Sequence, residues 1–433
     1  MVEVIVRRTE RLSGEVYAPP SKAYTQRMLI AALLSHGTSK ISNPLASDDT
    51  QVTLRAIKAF GAKVKRKKGY WTIEGEASLK NSETPVDCGE SGATLRFMIP
   101  VAALAPSYSV FAQERALGRR PIEPLLRSLR QLGVTSSLQQ TEGGSFIRVQ
   151  GGGIQGGKTT IRGDISSQFI SGLMFACPRA RTDTEIVLAT LLESKGYVQM
   201  TKEILDKHGI QVLISEDFGQ LQIPSNQMYR PCDHEVAGDF SSAAFLLAAA
   251  AITGSKILVK DLDYDTEQGD KIIVDILEKM GLKAKVGNDQ IEVEGQGTLD
   301  SLDVDAKDIP DLVPVCTVLA CYSKGTSKIF NACRLRYKES DRLSSLYVEL
   351  RKMGAEIVMN EDGFMIKGPC ALHGSTIDAH NDHRIAMACA IAALGAKGKT
   401  RIRGSECVKK SYPAFFVDLR SLGADVVGGQ FDR

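Results

Sequence analysis

The chain has 433 residues, of which 43% are hydrophobic and 24% charged, a composition typical of a globular protein with room for two domains. The formal net charge of only +3 gives no strong field that would favour nucleic acid or a membrane surface. The longest apolar stretch, AAFLLAAAAI, is about half of the ~20 residues that a membrane-spanning helix needs. Because the N-terminal segment MVEVIVRRTE lacks the apolar core of a signal peptide and is predicted to form a strand, we expect a cytoplasmic protein.

Cysteine and histidine give no indication of a metal site. The nine cysteines are scattered without CxxC pairs, and we expect reduced, mostly buried thiols of a cytosolic protein. The histidines show no metal-ligand spacing, and His380 and His383 in HNDH do not form a zinc motif. We therefore predict no metal.

One unit of strand, helix, strand, helix and one or two further strands is repeated six times along the chain. In every copy a glycine ends the second, amphipathic helix and precedes a strand, at spacings of 72, 76, 72, 73 and 69 residues. Each copy also has an earlier apolar helix, and this period is too long for the common solenoid repeats. The pattern predicts an α/β fold built from six units. The glycines are Gly61, Gly133, Gly209, Gly281, Gly354 and Gly423, and the apolar helices are QRMLIAALL, ATLRFMIPVAAL, SSQFISGLMFA, SSAAFLLAAAAI, DLVPVCTVLA and HRIAMACAIAAL.

Two segments of the first half could suggest a nucleotide or nucleic-acid partner. KVKRKKGYWTIEG predicts a hairpin around Lys68 and Gly69 with Trp71 and Ile73 facing inward, so its basic run is interpreted as a solvated face. QGGGIQGG at 150–157 lacks the Lys-Ser/Thr pair of a phosphate-binding P-loop and is predicted to be a turn.

The units differ most just before, or in the first turn of, their first helices. A helix N-terminus presents unpaired N–H groups and attracts anions, and Lys or Arg added there strengthens the attraction. Ser and Asp are also ordinary N-caps, and for Asp239 and Ser241 this alternative is equally favoured. Six such ends facing one cleft would suit a small, highly charged anion. The residues are Lys22 and Arg27; Glu90 and Arg96; Ser166, Ser167 and Gln168; Asp239, Ser241 and Ser242; Asp311; and Asp382, His383 and Arg384.

Two Pro-containing segments indicate where the chain passes between domains of three units each. They are YRPCDHEVAGD at 229–239 and YAPPSKAY, where Pro19 and Pro20 stiffen the chain. We predict one domain of residues 1–19 and 236–433, with the first strand and units four to six. Residues 20–235, with units one to three, form the other domain. Two adjacent crossings would make a hinge.

The densest polar segment is RLRYKESDRL at 334–343. On a helix, Glu339 and Arg342 would share one face and could pair. A solvated helix start is the alternative, but Arg334, Arg336, Lys338 and Arg342 are more cations than a turn needs. We therefore interpret the segment as functional.

Nine motifs occur in the order and spacing of the 5-enolpyruvylshikimate-3-phosphate synthase family, and the match spans essentially the whole chain. The chain is similar to archaeal members. The resemblance implies two domains, each an inside-out α/β barrel of three βαβαββ units, with the active site in the interdomain cleft. The motifs are PSKAYTQR, GESGATLR, ERALGRRPIEPL, GDISSQFISGL, VAGDFSSAAFLLAAA, IPDLVP, YKESDRL, NDHRIAM and VKKSYP.

The implied reaction moves the enolpyruvyl group of phosphoenolpyruvate to the 5-hydroxyl of shikimate 3-phosphate and releases phosphate, through a tetrahedral intermediate and without a metal or cofactor. The implied pathway leads to chorismate and the aromatic amino acids, and we expect a monomer. Two alternatives remain. One is the sister enzyme that acts on UDP-N-acetylglucosamine, and the other is a non-catalytic, anion-binding member of the fold.

The resemblance also assigns residues, position by position. Asp311 would take the proton of the attacking hydroxyl, and Glu339 would protonate the methylene carbon and later remove a proton. The implied catalytic residues are Lys22, Asp311, Glu339 and His383. The implied shikimate 3-phosphate binders are Lys22, Arg27, Ser166, Ser167, Gln168, Ser194, Asp311 and Lys338. The implied phosphoenolpyruvate binders are Lys22, Gly92, Arg96, Arg120, Gln168, Arg342, Arg384 and Lys410.

Four positions depart from the family pattern. Ala23 replaces a serine, Glu90 an asparagine, Ala93 a threonine and Arg334 an asparagine-type contact. These departures bear on substrate affinity and on the response to the inhibitor glyphosate, which occupies the phosphoenolpyruvate site.

Overall fold

The computed structural model describes residues 2–113, 117–141 and 144–429. The chain divides into two compact units, Ser21–Val236 and Met1–Pro20 with Ala237–Arg433. Ser21–Val236 is referred to below as the continuous unit, and the other as the divided unit, since two separate segments build it.

The divided unit begins with strands β1 (Glu3–Arg7) and β2 (Ser13–Tyr17), and the continuous unit follows. The described helices of the continuous unit are α1 (Lys22–Leu34), α2 (Asp48–Ala59), α3 (Gly92–Ala102), α4 (Glu123–Gln131), α5 (Ser167–Ala176) and α6 (Lys195–Lys207). Its described strands are β3 (Gly37–Ser42), β4 (Lys63–Lys67), β5 (Tyr70–Gly75), β6 (Val86–Asp87), β7 (Ser109–Gln113), β8 (Ser136–Thr141), β9 (Gly144–Val149), β10 (Gly157–Ile161), β11 (Thr184–Leu188), β12 (Leu213–Ile214), β13 (Gln220–Ile223) and β14 (His234–Glu235).

The divided unit resumes after Val236. Its described helices are α7 (Phe240–Ile252), α8 (Ile273–Lys279), α9 (Val313–Tyr322), α10 (Arg342–Lys352), α11 (His383–Gly395) and α12 (Phe415–Ser421). Its remaining described strands are β15 (Lys256–Lys260), β16 (Lys283–Gly287), β17 (Gln290–Glu294), β18 (Leu299–Asp300), β19 (Val304–Asp305), β20 (Ser323–Phe330), β21 (Ile357–Met359), β22 (Phe364–Gly368), β23 (Thr376–Asp378), β24 (Lys399–Arg403) and β25 (Val426–Gly428).

Each unit contains three sheets of one design around a core of apolar helices. In the continuous unit the strand orders are β14-β3-β5-β4, β6-β7-β9-β8 and β10-β11-β13-β12. In the divided unit they are β2-β15-β17-β16, β18-β20-β22-β21 with β19 beside β20, and β23-β24-β1-β25. The first pair of each sheet is parallel, as is the pair of β19 with β20, and the other neighbours are antiparallel. The first helices are apolar on nearly every side and therefore pack against one another inside their unit, α3 on α1 and α5, and α11 on α7 and α9.

Three strands are paired far from their sequence neighbours. Strand β1 is central in its sheet, since Glu3–Arg7 pairs with β24 and Val4–Val6 with β25. Strand β2 runs parallel to β15, and β14 runs parallel to β3. In a simple repeat, β2 would pair with the next long strand, β3, and β14 with β15. The two strands have exchanged these positions, at the two places where the chain leaves one unit for the other.

The six repeat glycines end the second helix of their units with φ between 75° and 106°. The N–H of Gly61 bonds to the carbonyl of Lys58, and the N–H of Ala62 to that of Ile57, at 3.0 and 3.1 Å. The other five glycines repeat this Schellman pattern, which needs a left-handed residue and so favours glycine. The predicted sixfold repeat is confirmed.

Smaller sequence predictions are confirmed as well. Strands β4 and β5 form the basic hairpin, in which Trp71 is 4% and Ile73 0% exposed. The glycine-rich segment 150–157 connects β9 to β10. All nine cysteines are free, and seven of them are buried.

Among the described residues, no helix combines the length and the apolar character that a membrane span requires.

Candidate active site

Several predicted side chains of the continuous unit come together around Gly92, the first residue of α3. Arg96 Nη1 donates to Gln168 Oε1 at 2.7 Å and to Ser166 Oγ at 3.3 Å. A methyl group placed on Gly92 would lie 3.0 Å from Arg120 Nη1 and 3.6 Å from Arg96 Nη1. These five residues are referred to as the arginine cradle. Two cations beside the N-termini of α3 and α5 make it suited to a small anion.

The elements that hold the cradle are set by local sequence. Ser166 caps α5, because its hydroxyl accepts from the N–H of Gln168, and Ser167 is the first helical residue. Ser91 caps α3 in the same way. Arg120 follows a single 3₁₀ turn at Leu117–Arg119. The first three residues of the motif ERALGRRPIEPL lie outside the described residues.

Lys22 and Arg27 project from α1. Lys22 Nζ lies 3.0 Å from Asp49 Oδ2 at the start of α2. The Arg27 guanidinium donates to Thr201 Oγ1 and to the Tyr197 carbonyl on α6, at 2.8 and 3.0 Å. Desolvation lowers the pKa of Arg27 to about 10, so it stays charged at neutral pH. Arg27 is therefore held by α6 rather than by the cradle.

Ser194 lies at the start of the same helix. It is the residue before α6, and it has a left-handed backbone with φ of 58° and an exposure of 2%. Ser194 and the two α6 residues that bind Arg27, Tyr197 and Thr201, therefore lie along the first turns of one helix.

In the divided unit, Arg342 gathers three carboxylates. Its Nη1 lies 2.8 Å from Asp311, its Nη2 2.5 Å from Glu339 and its Nε 2.9 Å from Asp382. Arg342 is 1% exposed, and burial alone would lower its pKa. The three carboxylates outweigh that effect and raise the Arg342 pKa, so the side chain is a permanent cation. Arg342 with Asp311, Glu339 and Asp382 is referred to as the carboxylate cluster.

The pair of Glu339 and Arg342 is present, but not on the helix that its spacing suggested. A 3₁₀ turn covers Cys333–Tyr337, and α10 begins only at Arg342. Asp341 caps that helix by accepting from the N–H of Ser344. Because Asp is a strong N-cap, the helix starts there and Glu339 remains in the preceding loop.

Two further cations face Asp311. Arg384 Nη2 lies 3.6 Å from Asp311 Oδ2, and Lys338 Nζ 3.9 Å from Oδ1. Burial raises the pKa of Asp311, but attraction to Arg384, Lys338 and Arg342 outweighs it and holds the pKa well below the usual range. Desolvation, helped by Arg342 and Arg334, lowers the pKa of Lys338 to about 8. Asp311 is thus ionised at neutral pH, whereas Lys338 is poised to lose its charge in mildly alkaline solution.

The turn before α11 holds the remaining predicted residues. Asp382 caps α11 by accepting from the N–H of Arg384 at 2.9 Å. Arg384 Nη1 donates to the Ser241 carbonyl at 2.7 Å, and His383 Nδ1 lies 3.9 Å from Asp382 Oδ1. Lys410 Nζ donates to the Asn381 carbonyl at 2.5 Å. His383, Arg384 and Lys410 are therefore all arranged around this one turn.

Sequence reasoning missed two acids of the divided unit. Asp382 appeared as a helix-start residue, not as a site residue, although it binds Arg342. Asp270 is 3% exposed and accepts a hydrogen bond from Ser241. Burial first, and then the charge of Asp311, raise the Asp270 pKa to about 7. Nothing in EQGDK distinguishes Asp270 from an ordinary helix start. For Asp239, the N-cap interpretation is correct.

The chemistry divides between the units. The continuous unit holds the arginine cradle, and the divided unit holds carboxylates that can exchange protons beside permanent cations. Within the described ranges, no group of three His, Cys, Asp or Glu side chains is placed to hold a metal ion. Carboxylates that exchange protons beside permanent cations suit an enzyme that acts on anionic substrates by acid–base catalysis.

Comparison with known proteins gives the family. The model of EPSP synthase (3-phosphoshikimate 1-carboxyvinyltransferase) matches residues 6–419. The 3-phosphoshikimate 1-carboxyvinyltransferase of Methanocaldococcus jannaschii is 42% identical over 98% of this chain and 99% of its own. That of Clostridium perfringens is 40% identical over 99% of this chain and 100% of its own.

Solved structures agree in fold. EPSP synthase from Acinetobacter baumannii has a TM-score of 0.82 at 23% identity and covers 99% of this chain and 100% of its own. The enolpyruvyl transferase NikO from Streptomyces tendae has a TM-score of 0.82 at 18% identity, with 99% of both chains covered. The fold is that of the enolpyruvyl transferases.

Within that class, the chain belongs to the EPSP synthase family. The motif resemblance, the α/β fold class and the prediction of a transferase are therefore confirmed. The family match also favours the EPSP synthase family over the sister enzyme that acts on a UDP-linked amino sugar.

Proposed function

We propose that this protein transfers the enolpyruvyl group of phosphoenolpyruvate to the 5-hydroxyl of shikimate 3-phosphate. A C–O bond forms between the hydroxyl oxygen and the enol carbon, and the C–O bond of that carbon to phosphate breaks. Family membership over residues 6–419 supports the reaction. The observation that carries it is the carboxylate cluster, where Asp311 and Glu339 lie 2.8 and 2.5 Å from one buried arginine. Anion binding alone needs no such carboxylates.

For the proton transfers, we assign Asp311 as the acceptor of the hydroxyl proton. Its low pKa keeps it ionised, and Arg384 and Arg342 hold it in place. Glu339 protonates the methylene carbon in the addition step and accepts a proton from it in the elimination step. Lys22 protonates the departing phosphate, and His383 supports the adjoining cations.

For the substrates, we keep the sets that the family pattern implies. Phosphoenolpyruvate is assigned to Gly92, Arg96 and Arg120 of the arginine cradle and to the cations around the turn before α11, because both places concentrate positive charge that suits a phosphate and a carboxylate group. The phosphoenolpyruvate set is Lys22, Gly92, Arg96, Arg120, Gln168, Arg342, Arg384 and Lys410. The shikimate 3-phosphate set is Lys22, Arg27, Ser166, Ser167, Gln168, Ser194, Asp311 and Lys338.

Each set draws on both units, so we propose that the site is complete only when the two units approach each other. Bound phosphate would offset the repulsion between their cations and favour the closed form. Small-angle scattering should show a smaller radius of gyration with shikimate 3-phosphate. Equal radii, in a free protein shown to be open, would contradict ligand-driven closure. We further propose a cytoplasmic monomer that needs no metal, which sedimentation analysis and fractionation can test.

The experiment that tests the reaction is phosphate release from phosphoenolpyruvate. We expect release only with shikimate 3-phosphate present and no loss on adding a chelator. Release driven by UDP-N-acetylglucosamine, or none with both substrates, would refute the proposal.

The role of Glu339 is tested by Glu339→Gln. We expect turnover to fall by roughly two or more orders of magnitude, the contribution typical of acid–base catalysis. Shikimate 3-phosphate affinity, measured by calorimetry, should change little. Glu361→Gln, at an exposed position of the same unit, is the control. A collapse of affinity with turnover preserved would make Glu339 a structural residue.

A further inference from the structure

Helix α10 is attached to the turn before α11 at two points. Arg342 and Glu349 are seven residues apart, so they lie two turns apart on one face. Arg342 binds Asp382 in that turn at 2.9 Å. Glu349, 1% exposed, binds His380 Nε2 at 2.8 Å and accepts from the N–H of Asp378 at 3.2 Å. Only the first attachment involves a residue, Arg342, that has been assigned to a substrate.

The turn between these attachments has a backbone that needs support. His380 and Asn381 have φ of 51° and 53°, so two successive non-glycine residues are left-handed. Such residues persist where surrounding contacts over-determine them. The His380 N–H donates to Asp378 Oδ1 at 2.7 Å, while its imidazole binds Glu349. His380 is thus fixed at both its backbone and its side chain.

Two of the three phosphoenolpyruvate residues of the divided unit depend on this turn, Arg384 directly after it and Lys410 in contact with it. The Asn381 carbonyl accepts a hydrogen bond from Lys410, and Arg384 lies two residues after the N-cap Asp382. A rotation of the Asn381 peptide would move the acceptor of Lys410 and the N-cap that orients Arg384. No residue of the shikimate 3-phosphate set lies on this turn.

We propose that His380, through its pair with Glu349, is a positioning residue that sets Arg384 and Lys410 for phosphoenolpyruvate. This inference rests on the proposed function of the same site. His380 touches none of the reacting groups and acts only through the turn.

The charge of His380 makes the positioning dependent on pH. The groups that face it are Glu349 and Lys352 on α10 and Asp378 on β23, and the hydrogen bond to Glu349 is the main cause of its raised pKa. The pair is therefore strongest at low pH and weakens as pH rises through this raised pKa. A glutamine at this position would keep a hydrogen-bond donor but never carry the charge.

The test compares His380→Gln and His380→Ala with the unaltered protein, with shikimate 3-phosphate saturating. At neutral pH we expect the KM for phosphoenolpyruvate to rise on the order of threefold to tenfold in His380→Ala, because the hydrogen bond to the Glu349 carboxylate is lost. The rise should be smaller in His380→Gln, which keeps a hydrogen-bond donor but carries no charge. The KM for shikimate 3-phosphate should stay unchanged. His373→Gln, at an exposed histidine of the same unit, is the matched control.

The pH profile separates positioning from general stability. The ratio of KM values between His380→Gln and the unaltered protein should be largest at about pH 6 and approach unity near pH 9, as the imidazole loses its charge. Titration of phosphoenolpyruvate itself cancels in this ratio. The His380 pKa, measured by NMR, should fall in Glu349→Gln.

A ratio that is flat with pH, or an equal rise in KM for both substrates, would overturn the inference while leaving the reaction intact. Absence of enolpyruvyl transfer in the unaltered protein would overturn the proposed function and this inference with it.

Discussion

At the scale of single residues, Arg342 shows how one cation organises a site. A buried guanidinium is tolerated because each of its nitrogens faces a carboxylate. The carboxylates in turn need the cation, since three negative charges gathered around one buried position would otherwise repel one another. Stability and chemistry therefore depend on the same side chain.

Replacing Arg342 should expose this double role. In Arg342→Met we expect a loss of roughly 3–5 kcal/mol in unfolding free energy, the typical effect of breaking a buried ion pair. In Arg342→Lys the loss should be smaller, but turnover should still fall, because an ammonium cannot reproduce the planar fork. Urea unfolding and phosphate release measure the two effects. Unchanged stability in Arg342→Met would contradict this account.

Lys338 predicts a pH dependence of shikimate 3-phosphate binding. Its pKa is lowered to about 8, so its charge is present below that pH and lost above it. Because a phosphate monoester is already dianionic above about pH 7, the titration of Lys338 should dominate there. We expect calorimetric affinity to fall as pH rises through about 8, and Lys338→Arg to remove the fall. A fall that persists in Lys338→Arg would exclude Lys338 as its source.

Gly92 predicts a specificity effect of a single methyl group. In Gly92→Ala the new carbon would lie 3.0 Å from Arg120 Nη1, so the flexible guanidinium must shift. We expect the KM for phosphoenolpyruvate to rise, and shikimate 3-phosphate affinity, measured by calorimetry, to stay the same. Equal weakening of both substrates would contradict the assignment of Gly92 and Arg120 to phosphoenolpyruvate alone.

At the scale of elements, the helix-ending glycines allow the cost of backbone strain to be measured apart from the cost of steric contact. At Gly281, φ is 97° and an added methyl would meet nothing closer than 3.6 Å. Gly281→Ala should therefore cost only the left-handed strain, about 1–2 kcal/mol, with activity retained. Gly269→Ala is the control, because its φ is ordinary and the nearest atom is 3.5 Å away. Denaturation midpoints that are equal in the two variants would contradict this assignment.

Elements with a local signal could be predicted from sequence, and those that depend on distant partners could not. The hairpin with Trp71 inward and the Schellman glycines follow from neighbouring residues. The hydrogen bond of Asp270 with Ser241 and that of His380 with Glu349 join residues 29 and 31 positions apart, so neither is visible in the local sequence. The helix start at Arg342 could not be predicted from the sequence, because Asp341 and Glu339 are equally polar and only the cap geometry distinguishes them.

At the scale of the whole molecule, the two units differ in how their chains are assembled. Every strand of the continuous unit's sheets lies within 21–236, whereas two sheets of the divided unit require β1 and β2. We expect a fragment of residues 21–236 to fold alone, and one of residues 237–433 to fold only when residues 1–20 are supplied. Circular dichroism and proteolysis of the fragments would decide it. A stably folded 237–433 fragment would contradict this view.

The place of β1 also sets an order of events during synthesis. Its partners β24 and β25 end at residues 403 and 428, so they leave the ribosome long after β1. The nascent chain must therefore carry two early strands with unsatisfied edges while the whole continuous unit emerges and folds behind them. Unpaired strands are prone to wrong pairing. Among the described strands, β1 is in this way made first and fully paired last, and the divided unit can be completed only after β24 and β25 have emerged.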